Sequence, residues 1–425
     1  MKPSKTIIYY INRVYAKNLT TTSGGNLSVM DKDGNIWITP SGKDKGTLKE
    51  EDICCVTPDG QVIGKYKPSI ELPFHTLIYK LRPDVKAVLH VHSPMLVTYS
   101  LFNLAPKTDI TAHSYLTCGK VGLSRYDIPG SIELGRQIAD VIKEGHDVVM
   151  MENHGVVAIA KDMSEAYNRL ETLENTADIS VKAAMLKKKV KTLAVKDIRP
   201  VGKRVPYEYI ERDAVSEKEK ELREEICAFA KRCYVHGFFT VASGVISARL
   251  SDDTFLITPH KYDRFTLKPS DVVKIAQGKC EKGKKASADY ALHRDIYSRK
   301  KYVNSIFVSD APNIMTYAVT GAEIDSRTIP ESYINMRDIT RIPFGGDRGN
   351  TDELIDSFSP ASPIALVENT ALIATGETIV KAFDRVEVSE VTAKTLLLAT
   401  PLGEPTKISD FEIEKIDKAF GLPKK

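Results

Sequence analysis

Apolar residues along this chain recur at helical spacing in some stretches and as alternating or unbroken short runs in others, and the two patterns take turns. Residues 5–17 read as a helix. A hairpin follows around Asp33-Gly34, with strands over 26–31 and 36–39. Residues 71–81 read as a helix bounded by Ser69 and Pro83. Residues 85–92 read as a strand, 132–143 as a helix and 148–151 as a buried strand. Residues 164–182 form a long amphipathic pattern with Ser164 as its cap. Alternation of this kind predicts an α/β domain and, on pattern alone, a parallel sheet.

Composition bounds the class. A chain of 425 residues exceeds one ordinary core and predicts two or three domains. With 27% charged and 42% hydrophobic residues it reads as a globular protein, and a formal net charge of +4 gives no reason to expect nucleic acid. Eight Lys or Arg against the single acid Asp197 between Lys187 and Arg204 read as a solvated linker rather than a nucleic-acid arm. Six cysteines without Cys-X-X-Cys spacing read as free thiols in a reducing cytoplasm. No apolar h-region opens the chain and no run of about 18 apolar residues crosses it, so neither a signal peptide nor a membrane span is expected.

Val88-Leu-His-Val-His-Ser-Pro94 is where chemistry enters. Side chains at i and i+2 of a strand share a face, so His90 and His92 can aim at one point, as a Zn²⁺-type metal requires. Two further segments join it: Pro68-Ser-Ile-Glu-Leu-Pro-Phe-His75, and Met151-Glu-Asn-His-Gly155 at the end of an apolar run. Gly24-Gly-Asn-Leu-Ser28 and Thr39-Pro-Ser-Gly42 are loops whose backbone N–H groups can face an anion, and Ser69 adds a hydroxyl at a helix start.

In this order, and with Tyr126-Asp-Ile-Pro-Gly-Ser131, these segments resemble the class II aldolase/adducin family over roughly residues 5–185. The resemblance implies a three-layer α-β-α fold with a mainly antiparallel central sheet. It implies a metal site of His90, His92 and His154 holding Zn²⁺ or another divalent ion such as Mn²⁺, Fe²⁺ or Co²⁺. It makes Glu71 the proton carrier, and Tyr126 the acid that protonates the leaving aldehyde from a neighbouring subunit's site. Gly25, Asn26, Ser41, Gly42 and Ser69 would bind substrate or its phosphate. The expected function is an aldolase that cleaves a ketose, a sugar 1-phosphate, through a metal-stabilised enediolate. A 4-epimerase, dehydratase or decarboxylase on the same site is the alternative, and a non-catalytic adducin-like assembly module is the alternative of another class. The family implies a homo-oligomer with sites near subunit or domain interfaces. One departure stands out: aldolases carry two serines before the Glu, whereas here Ser69 is followed by Ile70.

The chain repeats itself. Pro312-Asn-Ile-Met-Thr-Tyr-Ala318 echoes Pro94-Met-Leu-Val-Thr-Tyr-Ser100 at an offset of 218, His293 echoes His75, Asp289 echoes Glu71, and Glu368-Asn369 echoes Glu152-Asn153 at 216. A tandem duplication is therefore expected: 1–186 with an intact site, 187–206 a basic linker, and 207–425 a degenerate, non-catalytic copy. In that register His90 becomes Val308, His92 becomes Asp310 and His154 becomes Thr370. His75, surviving where the histidine site does not, reads as fold-keeping. The place of Tyr126 reads Thr340-Arg-Ile-Pro-Phe-Gly345, without a tyrosine.

Overall fold

The computed structural model describes residues 2–198 and 208–422. Two compact units arise, Met1–Asp109 with His113–Asp178, and Ile110–Ala112 with Ile179–Lys425. Of the basic stretch expected as a linker, residues 199–206 lie outside the described residues. Residues 187–198 belong to the second unit, where Lys191 Nζ pairs with Glu368 Oε1 at 2.9 Å. Among the described residues no helix is long and apolar enough to cross a membrane.

The first unit follows the hydrophobic pattern closely. Helix α1 (Pro3–Ala16) leads into β1 (Asn26–Met30) and β2 (Ile36–Ile38), then the short strands β3 (Cys54–Val56) and β4 (Val62–Ile63). Helix α2 (Leu72–Leu81) precedes β5 (Ala87–Val91) and α3 (Pro94–Ser100). Helix α4 (Ala112–Cys118) belongs to both counts, since its first residue clusters with the second unit. Strand β6 (Gly122–Ser124), α5 (Ile132–Lys143), β7 (Val148–Met151), β8 (Gly155–Ala160) and α6 (Met163–Met185) complete the copy. Asp162, not Ser164, caps α6: its Oδ1 accepts from the Glu165 N–H at 2.9 Å.

The strands form one sheet in the order β4-β3-β2-β1-β5-β8-β7-β6. Six of its seven pairings are antiparallel, and it is mixed because β6 runs parallel to β7. The physical reason is the twelve-residue helix α5 between them, a crossover long enough to return the chain in the same direction. On one face, Val88, Val149, Val157 and Ile159 of the sheet pack against Phe74 and Ile78 of α2 and Leu134, Ile138 and Ile142 of α5. His90 lies two residues from Val88, so its side chain enters this same α2-covered face.

The second unit repeats that sheet order and adds Tyr209–Ile210 at the edge beyond Lys279–Glu281. Its sheet is mixed too, with parallel pairs at Thr340–Ile342 and at the added edge strand. Two apolar clusters line its two faces. One takes in the helices Glu217–Val235, Pro312–Thr320 and Ile379–Ala399, the other the helices Tyr290–Arg299 and Asp352–Ser357, which makes three layers.

Sheet register corrects one correspondence. Ser124 lies opposite Met151, and Ile342 lies opposite Val367. The N–H of Glu152 reaches Ser124 O as that of Glu368 reaches Ile342 O. Ser124 therefore matches Ile342, and Tyr126 matches Phe344 rather than Thr340. The shared Ile-Pro dipeptide had suggested a register four residues off. The position still lacks a tyrosine.

Candidate metal and proton-transfer site

Three elements deliver three imidazoles to one place. His90 is the fourth residue of β5, His92 follows the strand's end, and His154 sits in the tight turn between β7 and β8. One ring nitrogen from each lies within 4.8 Å of the others. Asn153 makes the turn possible by adopting φ 52, which Asn tolerates better than most residues. Gly155 lets β8 close on β5: a Cβ there would stand 2.4 Å from Val91 O and 2.9 Å from His92 Cδ2. Gly25, at φ 67, passes so close to β5 that a Cβ would stand 2.6 Å from His90 O.

The ring orientations are set by bonds away from the cluster. His90 Nδ1–H donates to Val156 O at 3.0 Å, which leaves its Nε2 as a bare lone pair. That nitrogen lies 3.1 Å from His92 Nε2 and 3.3 Å from Glu71 Oε2. Glu71 Oε1 lies 3.5 Å from His154 Nε2 and is buried without a hydrogen-bond partner. Burial pushes His90 down to about 4, and the bond to Val156 O only partly opposes it. Burial and then the neighbouring His90 push His92 down to about 4, with Glu71 pulling the other way. His154 is held at about 4 by burial and then by His90, again against Glu71. Near neutral pH the three rings are uncharged, with lone pairs converging on one another and on a carboxylate.

Acceptors facing acceptors in a buried place call for a cation. Three neutral imidazoles with room for further ligands are the donor set of a catalytic Zn²⁺-type centre. The residues present thus fit the divalent ion that the motif implies, with His90, His92 and His154 to hold it.

Glu71 stands at the N-terminal boundary of α2, where an acid can simply cap the helix. It makes no side-chain cap bond. Its carboxylate turns instead toward the histidines, and Oε2 accepts from Asn26 Nδ2 at 2.6 Å. The Asn26 side chain is thus engaged within the site. Both its polar atoms are committed, Nδ2 to Glu71 and Oδ1 to His75 Nε2 at 2.5 Å. His75 in turn meets Ser28 Oγ at 2.6 Å through Nδ1, and Ser28 Oγ meets Tyr79 OH at 2.8 Å.

The remaining expected residues divide into two groups. Pro40 and Pro68 form an isolated bridge, Ser69 N–H donates to Thr39 O, and Ser41 N–H donates to Lys67 O, so the 39–42 loop and the Ser69 turn lie together. Ser69 Oγ accepts from the Glu71 N–H at 3.3 Å, and Gly42 takes φ 64. Tyr126 stands apart. It is 55% exposed and tied by its backbone N–H to Glu152 Oε2. Ile70, in place of a second serine, is exposed.

One buried cation escaped the sequence reading. Lys45 N–H donates to Thr22 O at 2.9 Å, and its Nζ to Pro40 O and Lys43 O, each at 3.3 Å. Burial lowers its pKa, against the pull of Asp44 and Glu71. It braces both glycine-bearing loops from beneath. Nothing in its local sequence distinguished it from a surface lysine.

The family described as Class II Aldolase and Adducin N-terminal domain matches residues 5–181 and again 224–397. An L-fuculose phosphate aldolase of Methanocaldococcus jannaschii is 35% identical over 184 residues, which is 43% of this chain and 98% of that protein. A 3-oxo-tetronate 4-phosphate decarboxylase of Haemophilus influenzae is 34% identical over 169 residues, 39% of this chain and 80% of that protein. Among solved structures, an L-fuculose 1-phosphate aldolase is 30% identical, covering 46% of this chain and 92% of its own, with a TM-score of 0.42. The two matches span most of the sequence, and the chain belongs to the class II aldolase and adducin family, as an enzyme of the metal-dependent lyase type that carries the family domain in tandem.

Proposed function

We propose that the first copy cleaves a carbon–carbon bond of a phosphorylated ketose. The observation that carries this reading is the buried Glu71 carboxylate beside three neutral imidazoles, its Oε1 3.5 Å from His154 Nε2 and without a hydrogen-bond partner among the described residues. A divalent ion held by His90, His92 and His154 supplies Lewis-acid charge that favours build-up of negative charge on a ketose's carbonyl and hydroxyl oxygens. Glu71 takes and returns the proton at carbon through Oε1, the oxygen Asn26 leaves free. The loops at Gly25 and at Ser41-Gly42, with Ser69 beside the second, receive the phosphate through backbone N–H groups and a hydroxyl, with the Lys45 charge beneath them. Tyr126, exposed at the surface of its own copy, protonates the leaving oxygen in the site of a neighbouring chain.

Similarity to the L-fuculose phosphate aldolases supports cleavage, and almost equal similarity to the decarboxylases supports a second reading, loss of carbon dioxide from a 3-oxo acid phosphate. Both place negative charge on carbon next to a carbonyl. Aldehyde release and carbon dioxide release from the respective substrates separate them. The second copy, with Val308, Asp310 and Thr370 at the ligand positions, serves as a non-catalytic scaffold.

The test is proton exchange. Zinc-loaded protein is expected to exchange a carbon-bound proton of dihydroxyacetone phosphate with deuterated water. Glu71→Gln is expected to abolish the exchange while retaining metal, and Tyr126→Phe to slow aldehyde release but leave exchange intact. Wild-type protein that exchanges no proton of any small ketose phosphate contradicts the reading.

A further inference from the structure

His75 belongs to a feature that both copies share and that only one completes. In the second copy Ser247 Oγ meets His293 Nδ1 at 2.7 Å and Tyr297 OH at 2.6 Å, as Ser28 meets His75 and Tyr79 in the first. The two copies part company at the far ring nitrogen. His75 Nε2 reaches Asn26, which reaches Glu71. Strand register puts Val245 where Asn26 stands, since Asn26 lies opposite His90 and Val245 opposite Val308. His293 Nε2 is accordingly buried with no hydrogen-bond partner among the described residues.

We infer that Asn26 and His75 are positioning residues for Glu71, joined in one directed chain of hydrogen bonds, and that this chain was cut in the second copy at Asn26. The inference rests on the reading of Glu71 as the proton carrier. A carboxylate only accepts, so Asn26 must turn its NH₂ to Glu71 and its carbonyl to His75. His75 Nε2 must then carry the hydrogen, and Nδ1 accepts from the Ser28 hydroxyl, which accepts from Tyr79. Every donor points toward Glu71. The chain fastens Oε2 and leaves Oε1 free, so one carboxylate oxygen is held and the other is available for the proton. A misplacement of the order of 1 Å at a reacting group can cost about a hundredfold in rate.

The second copy also supplies the test. Valine is accommodated at the equivalent position of the second copy's sheet, so Asn26→Val is a substitution this fold tolerates. In zinc-loaded full-length protein, Asn26→Val is expected to lower kcat for proton exchange into dihydroxyacetone phosphate by ten- to a hundredfold. KM is expected to stay within about twofold, and zinc per chain to be unchanged. His75→Asn is expected to give a similar loss, and the double variant little more than either alone, because both cut the same chain. His293→Asn, which breaks the equivalent Ser–His contact in the second copy, is expected to leave kcat unchanged. A crystal structure of Asn26→Val is expected to show the Glu71 carboxylate displaced or spread over several rotamers.

Full kcat in Asn26→Val, or losses that multiply in the double variant, overturns the inference. A fall in kcat for His293→Asn equal to that for His75→Asn also overturns it, by showing a purely structural role. If wild-type protein exchanges no proton, the proposed function fails. The positioning claim is then decided by the crystal structure alone, and an undisturbed Glu71 overturns it.

Discussion

The two copies of one fold differ most where they are most comparable. Both keep a buried Ser–His–Tyr triplet, Ser28, His75 and Tyr79 against Ser247, His293 and Tyr297. Both keep a left-handed Asn in the turn after the inner strand, Asn153 and Asn369. Both bind the start of a short helix with a buried glutamate, Glu174 to Met95 and Leu96, Glu390 to Asn313 and Ile314. Both direct an arginine of the last long helix onto a strand carbonyl, Arg169 onto Ile159 and Arg385 onto Thr375. The two copies part around the histidine cluster, where Asn26, His90, His92 and His154 become Val245, Val308, Asp310 and Thr370 and Glu71 shortens to Asp289, and again at Tyr126, which becomes Phe344. The lesson is that the scaffold does not depend on the site. Side chains that hold helix starts, turns and the Ser–His–Tyr triplet are retained, and those that converge on the histidine cluster are free to go.

Substitutions that push the first copy toward the second sharpen this contrast. The largest effect is expected from His90→Val, the second copy's own residue. It removes one of the three proposed ligands, and proton exchange should fall by about 10⁴-fold or more, with the fold kept as it is around Val308. Circular dichroism alongside the exchange assay checks it. Loss of fold would show that the strand needs the histidine. Glu71→Gln comes next, with exchange expected to fall by about 10²–10⁴-fold at unchanged metal content, while Asp289→Asn leaves it alone. An Asp289→Asn variant with reduced exchange would mean that the second copy takes part in the chemistry.

Two smaller effects concern stability. Gly25→Ala forces an Ala to φ 67 with its Cβ 2.6 Å from a backbone oxygen, and is expected to cost about 2–4 kcal/mol in denaturant unfolding. Unchanged stability would mean that the loop shifts freely, against its proposed role as a fixed anion cradle. Last is a pH effect in the second copy. Burial pushes His293 down to about 3, below the ordinary 6.5, so the unfolded chain binds a proton there that the folded one refuses. Its contribution is fully present above pH 6.5 and is lost as pH falls toward 3, at up to about 1.4 kcal/mol per pH unit. His293→Asn should flatten the acid limb of the stability profile by that slope. An unchanged limb would mean that His293 titrates normally.

Much of this was legible in the sequence. Helices 132–143 and 71–81 and strand 148–151 follow from periodicity, because each buries one face or runs unbroken through the core. His90 and His92 announce themselves through two-residue spacing in a strand, and the duplication through its near-constant offset. What stayed hidden depends on sheet register. Asn26 lies 45 and 49 residues from Glu71 and His75 and meets them only because β1 lies beside β5 with α2 packed on the same face. A signal existed: Asn26 is replaced by Val245 while Ser28, His75 and Tyr79 all persist, which marks Asn26 as belonging to the site and not to the scaffold. His75 reads as fold-keeping from its survival, and half of it is; the other nitrogen serves Glu71. The parallel pairing of β6 was missed because a three-residue strand carries almost no periodicity.

The most direct test of one equipped copy and one bare copy is metal content per chain, measured by elemental analysis on untagged protein purified without chelator and then reconstituted with zinc. About one ion per wild-type chain, lost in His92→Ala and retained in Asp310→Ala, is the expected result. No ion in the wild type would contradict a metal site at His90, His92 and His154. Two ions per chain, or one that survives His92→Ala and disappears with Asp310→Ala, would contradict the division of labour between the copies.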